Sequence, residues 1–196
     1  MFNKAIEKTL KLIKTPNFLT VSRIFAAPFF LFLCVFLPRD VLLFRLISGF
    51  LFSVIAATDL LDGYLARKNS EVSTFGICFD NIADKMLTIL TLLGMLATKR
   101  VGITLVAIII TRELLVTGIR EFIAMQKNGH MPVTKLSKIK TTVQMVGIIL
   151  LLISDKDTPF ELIGTVVLWI GAYLAVTTLY QYVRTVLKYI KKADNS

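Results

Sequence analysis

Six apolar runs, most of them close to 20 residues long, take up most of this 196-residue chain. At 1.5 Å of rise per residue, a helix of about that length matches a hydrocarbon layer of roughly 30 Å. With 55% hydrophobic residues, 18% charged residues and a mean hydropathy of +0.72, the chain has too much apolar surface for an ordinary water-soluble domain. It reads as an all-α integral membrane protein. The expected spans run from about 18 to 37, 41 to 65, 74 to 97, 102 to 125, 137 to 154 and 159 to 189, with Pro28 as a candidate kink in the first. The connections leave no room for a separate soluble domain, and there is no internal repeat or low-complexity segment. A single membrane domain over residues 1–196 is the expectation.

Charge asymmetry sets the expected orientation. Fourteen lysines and arginines, from Lys4 to Lys192, fall on one side of a six-span chain, while the other side holds little beyond Arg39, Lys99, Arg100 and Lys156. Both termini are therefore expected in the cytoplasm. The net charge of +10 does not point to nucleic acid, because the cations flank spans and do not form a soluble basic face; anionic membrane lipid is the better partner. No small-residue cleavage site follows the first apolar run, so it reads as an uncleaved span. Ahead of it, Phe2, Ile6, Leu10 and Ile13 share one helical face with Lys4, Lys8 and Lys11 away from it, which predicts an amphipathic interfacial helix over residues 1–15. A bacterial inner (cytoplasmic) membrane is the expected location, an organelle membrane the alternative. Cys34 and Cys78 indicate neither a disulfide nor a metal pair, and His130 carries no inference.

Four aspartates interrupt this apolar pattern: Asp59, Asp62, Asp80 and Asp84, all within 26 residues. Ionised carboxylates in or near a bilayer are expensive, so a group of four implies a compensating cation. The six-span model puts them at the cytoplasmic membrane surface. Asp59 and Asp62 are spaced i,i+3 and Asp80 and Asp84 i,i+4, so each pair can project from one face of its helix. Mg²⁺ or Mn²⁺ prefers such hard oxygen ligands, and the absence of sulfur and imidazole argues against zinc. Gly63, Ala66 and Gly76 are small enough to admit a ligand, while Arg67 and Lys85 can bind anionic oxygens, as a phosphate-bearing substrate requires. The bland alternative is an interhelical salt-bridge network with Arg67, Lys68 and Lys85 and no further role.

The pattern Asp59-x-x-Asp62-Gly63-x-x-Ala66-Arg67, eight residues, then Gly76-x-x-x-Asp80-x-x-x-Asp84 resembles the complete signature of the CDP-alcohol phosphotransferase family. The resemblance implies a six-helix membrane fold, usually a homodimer, with a divalent-metal site opening to the cytoplasm. It implies that Asp59, Asp62 and Asp80 hold one metal ion and Asp59, Asp80 and Asp84 help hold a second, with Asp84 as general base. It also implies that Gly63, Ala66 and Arg67 lie against the cytidine diphosphate of the donor, with CMP as leaving group. Asn81 stands where the family often has proline; proline is not a metal ligand, so the change bears on local helix geometry and leaves the donor set intact.

The acceptor has to be read elsewhere. Pro16-Asn17-x-x-Thr20-x-x-Arg23, Arg112-Glu113-x-x-x-Thr117-x-x-Arg120-Glu121 and Lys135-x-x-Lys138-x-Lys140-Thr141-x-x-Gln144 resemble the subgroup of that family whose acceptor is glycerol 3-phosphate. The resemblance implies CDP-diacylglycerol as donor, with Asn17 and Thr20 joining Gly63, Ala66, Arg67, Gly76 and Lys85 as its binding residues. On the bare residues, Glu113, Thr117 and Arg120 share a helical face with Arg112 to one side, giving the fourth span a polar stripe suited to a dianionic phosphate. Lys135, Lys138 and Lys140 could complete that pocket through charge-assisted contacts. The competing account is positive-inside topology plus an ion pair between Glu113 and an arginine.

Other readings stay open at this level. A transferase of the same family could take serine or inositol phosphate as acceptor. An ion or proton transporter also uses intramembrane carboxylates, though the chain shows no inverted repeat, and a purely structural membrane protein is a third class.

Overall fold

The computed structural model describes residues 17–37, 40–69, 74–124 and 134–193, with side chains described at 24–37, 40–57, 85–123 and 134–187. The amphipathic helix expected over residues 1–15 lies outside the described residues. Six helices account for nearly all of the rest, and among the described residues there is no strand: α1 Asn17–Phe36, α2 Leu42–Asn69, α3 Thr74–Ala97, α4 Ile103–Ala124, α5 Lys135–Ile153 and α6 Pro159–Ala193. Each expected apolar run is thus a helix. Among the described residues two segments, Lys135–Ile153 and Pro159–Leu187, are long and apolar enough to cross a membrane; the described parts of α1, α2 and α3 give shorter apolar helices, Ile24–Phe36, Leu42–Ala57 and Lys85–Ala97.

Local signals explain where several helices begin and end. Thr134 caps α5, its side chain accepting from Ser137 N–H at 3.2 Å. Pro159 opens α6 at the position where its missing N–H has no intrahelical partner to lose. Pro28 sits inside α1. Asp157, in the corner before α6, adopts a left-handed φ of 58° and donates its N–H to Glu161 Oε2 at 2.7 Å.

The helices group into two compact units, Met1–Thr98 and Lys99–Ser196. In the first, α1 packs along α3 and touches α2, around Ala27, Phe30, Cys34, Leu87, Leu92 and Met95. Phe30 meets Phe52 edge-on with ring centroids 5.5 Å apart. In the second unit α6 packs on both α4 and α5. The α5–α6 contact is close because Gly147 faces Leu168: a Cβ there would lie 2.8 Å from Leu168 Cγ.

The distribution of polarity across this second unit is inverted relative to a water-soluble bundle. Phe160, Leu162, Ile163, Val166, Trp169, Ile170 and Tyr173 of α6 are exposed, while Arg112, Glu113, Lys140, Gln144 and Thr178 are buried. One corner adds a second polar anchor: Arg100 donates from Nε to Glu161 Oε1 at 3.1 Å and from Nη2 to the backbone oxygen and the hydroxyl of Ser154, both at 2.9 Å. With its side chain 7% exposed, Arg100 has little water to fall back on. Glu161→Ala leaves the Arg100 guanidinium its Ser154 bonds but no carboxylate, and is expected to destabilise the protein by about 2–3 kcal/mol, read as a lower melting temperature of the purified protein in detergent; an unchanged melting temperature would show the corner to be dispensable.

Candidate functional site

The aspartates fall on two helices. Asp59 and Asp62 lie on α2 with Gly63, Ala66 and Arg67, and Asp80 and Asp84 lie on α3 with Gly76 and Lys85. Each pair therefore sits on uninterrupted helical backbone, so the i,i+3 and i,i+4 registers expected from the spacing apply. Asn81 also lies within α3, where a proline would have no N–H to offer the helix ladder. Asn17 and Thr20 open α1. Lys85 is half-buried, whereas the side chains of the other residues just named, and of Arg23, lie outside the described set. Among the described residues no three His, Cys, Asp or Glu side chains gather to hold a metal ion. The chemistry of the aspartate donor set fits a hard divalent ion: four carboxylates in two helical pairs, with no sulfur or imidazole between them.

The second candidate cluster is described in full atomic detail. Arg112 is 3% exposed at the middle of α4, and four of its five N–H donors are engaged. Its Nε donates to the Ala175 carbonyl at 3.3 Å, Nη1 to Glu113 Oε1 at 3.1 Å, and Nη2 to Thr178 Oγ1 at 2.8 Å and Ser137 Oγ at 3.4 Å. Lys140 of α5, 2% exposed, donates its ammonium to the same Glu113 oxygen. One carboxylate thus joins two buried cations, and the cluster ties α4, α5 and α6 together. Thr117 turns its hydroxyl onto the Glu113 carbonyl at 2.6 Å.

The acceptor residues expected from the sequence therefore divide into two groups. Arg112 and Lys140 are buried and both paired with Glu113, so the ion pair expected between Glu113 and an arginine forms at Arg112 and extends to Lys140. Arg120 and Thr117 are half-buried, and Lys135 and Lys138 are exposed at the start of α5. Sequence reasoning missed Ser137, Thr178 and Tyr182 altogether. Thr178 carries a weak retrospective signal, since Ala175, Thr178 and Tyr182 are all buried at the i, i+3, i+7 spacing of one α6 face. Gln144 is visible only as the last residue of the basic stretch. It proves 3% exposed, with its amide nitrogen lacking a hydrogen-bond partner, as does the Tyr182 hydroxyl.

Residues 13–177 match the model of the CDP-alcohol phosphatidyltransferase family, and the chain belongs to that family. Among its relatives, a Rickettsia felis protein named CDP-diacylglycerol--glycerol-3-phosphate 3-phosphatidyltransferase is 36% identical over 177 residues, covering 89% of this chain and 96% of its own length. A Rickettsia bellii protein of the same name is 37% identical over the same shares. One from Yersinia enterocolitica is 34% identical, covering 88% of this chain and 94% of its own.

Within the buried cluster, Glu113→Gln leaves Arg112 and Lys140 without their common carboxylate and is expected to cost about 3–5 kcal/mol. Lys140→Met keeps the Arg112–Glu113 pair and is expected to cost less. Thermal melting of the two purified variants checks the order; equal melting temperatures would remove Glu113 from its central place.

Proposed function

We propose that this protein transfers the phosphatidyl group of CDP-diacylglycerol to the hydroxyl of sn-glycerol 3-phosphate, giving phosphatidylglycerol phosphate and CMP in anionic phospholipid biosynthesis. The observation that carries this reading is the complete Asp59 to Asp84 signature lying inside a family match that runs over residues 13–177. The names of the relatives, which share more than a third of their residues with nearly nine-tenths of this chain, support glycerol 3-phosphate as acceptor. The match extends across both compact units, which favours treating residues 1–196 as one domain.

In this reading Asp59, Asp62, Asp80 and Asp84 hold a divalent cation, Mg²⁺ or Mn²⁺. When bound, that ion neutralises charge on the diphosphate of the donor. Gly63, Ala66 and Gly76 allow close approach of the cytidine diphosphate, Arg67 and Lys85 contact its anionic oxygens, and Asn17 and Thr20 contribute to the donor site. Asp84 takes the proton from the acceptor hydroxyl as its oxygen bonds to the phosphorus of the phosphatidyl group. The phosphoanhydride bond breaks and CMP leaves. Arg112, Thr117, Arg120, Lys135, Lys138 and Lys140 serve the acceptor phosphate; of these, Arg120 is half-buried and Lys135 and Lys138 exposed, which suits charge-assisted contact with an incoming ligand.

We further read the chain as six membrane spans with an interfacial N-terminal helix, both termini and the active site facing the cytoplasm, in the inner membrane of a bacterium and as a homodimer. The two helices long and apolar enough to cross a membrane and the exposed apolar faces support the membrane reading. The excess of lysine and arginine at one set of span ends supports the orientation.

Purified protein given CDP-diacylglycerol, Mg²⁺ or Mn²⁺ and a panel of acceptors is expected to release CMP with glycerol 3-phosphate and not with serine or inositol phosphate, and to stop when the cation is chelated. Release with serine or inositol phosphate alone would overturn the acceptor, and no release with any alcohol would overturn the enzyme class. Asp84→Asn is expected to lower turnover by at least about 100-fold at an unchanged melting temperature; full activity in that variant would remove Asp84 as the base.

A further inference from the structure

Two buried hydrogen-bond donors bracket the Arg112–Glu113–Lys140 layer. Gln144 is one helical turn from Lys140 on α5, and Tyr182 is one turn from Thr178 on α6, the residue whose hydroxyl accepts from Arg112. Both side chains are almost wholly buried, and neither the Gln144 Nε2 nor the Tyr182 Oη has a partner. The place of Gln144 is fixed across the helix pair as well. A Cβ on Gly171 would come within 2.7 Å of Gln144 Cγ, so Gly171 makes room for the stem of the Gln144 side chain, and Gly171 is one turn from Ala175, whose carbonyl accepts from Arg112 Nε.

Long side chains on a helix lean back over the turn on their N-terminal side. For Gln144 that turn holds Lys140, and for Tyr182 it holds Thr178. From opposite sides, the two donors lean toward one polar layer. A buried amide or phenol without a partner costs more than an apolar side chain of the same shape, so packing alone favours Met and Phe at these two positions. A bound ligand with acceptor oxygens reverses that preference.

We propose that Gln144 and Tyr182 are acceptor-contacting specificity residues, donating from Nε2 and Oη to the oxygens of the phosphate-bearing alcohol. This rests on the glycerol 3-phosphate reading above and adds to it two residues whose donors the fold itself does not use. Without a bound acceptor, the two groups cost stability relative to apolar side chains of the same shape. Liganded, they favour an acceptor rich in hydrogen-bond-accepting oxygens over a less polar alcohol.

The test uses the full chain, purified in detergent, with the near-isosteric variants Gln144→Met and Tyr182→Phe. Each is expected to melt at or above the wild-type temperature, because an unpaired buried polar atom has been removed. Each is expected to raise the KM for glycerol 3-phosphate roughly tenfold while the KM for CDP-diacylglycerol stays unchanged. Glycerol 3-phosphate alone, added without donor, is expected to raise the melting temperature of the wild type and to do so less in either variant. An unchanged acceptor KM in both variants overturns the proposal. So does a lower melting temperature with a uniform fall in turnover, which marks a structural role. Failure of the wild type to release CMP with glycerol 3-phosphate overturns the acceptor reading itself, and the proposal with it.

Discussion

The second unit depends on one carboxylate. Glu113 sits between the Arg112 guanidinium and the Lys140 ammonium, both nearly inaccessible. A buried cation without such a partner costs several kcal/mol, more than most single apolar contacts return. With the outward faces of α6 apolar, a charged side chain on the packed side has few places to find a partner other than within the bundle. The pairing therefore dictates which face of α4 turns inward, and Arg112 then carries that choice to α6 through Ala175 and Thr178 and to α5 through Ser137.

Apolar packing by itself is poorly directional, and the helices of this unit would tolerate sliding if only leucines and isoleucines met. Two polar fixtures prevent it. The Arg112 layer meets α6 at Thr178 and the Arg100 corner meets it at Glu161, positions about 25 Å apart along the helix axis. Between them the close approach of α5 and α6 at Gly147 supplies van der Waals contact. Register is set by hydrogen bonds, and affinity between helices by packing.

The helices were legible because an apolar run of about 20 residues has few alternatives. The bounds agree closely at α1, α3, α4 and α5, and differ most at the ends of α2 and α6, which continue to Asn69 and Ala193 beyond the expected 65 and 189. Hydropathy registers only the apolar run, whereas a helix can continue through charged residues such as Arg67 and Lys68, or Lys191 and Lys192. The aspartate signature was legible for a different reason, since its information lies in short spacings along two helices. The residues proposed for the acceptor were harder to read. Lys140 finds Glu113 across 27 residues of sequence, and no spacing rule links positions on separate helices. Thr178 and Tyr182 look like any hydroxyl on a long apolar helix until the packing shows that they are inside.

Burial also decides what the cationic residues can contribute to recognition. Arg112 holds four of its five donors in bonds within the fold, so in the proposed acceptor role its fixed charge counts for more than new hydrogen bonds. A charge held in place needs no reorganisation when an anion arrives, which is the condition under which electrostatic stabilisation is largest. Lys135 and Lys138 are the opposite case: exposed, on flexible stems, and in the proposed reading suited to drawing an anion in while adding little to its final geometry. Selectivity among anions then falls to neutral donors at fixed positions, because a phosphate carried by one alcohol is electrostatically much like a phosphate carried by another. Among the described residues of this unit, the neutral buried donors without a partner, and so the ones proposed for that task, are the amide of Gln144 and the phenol of Tyr182.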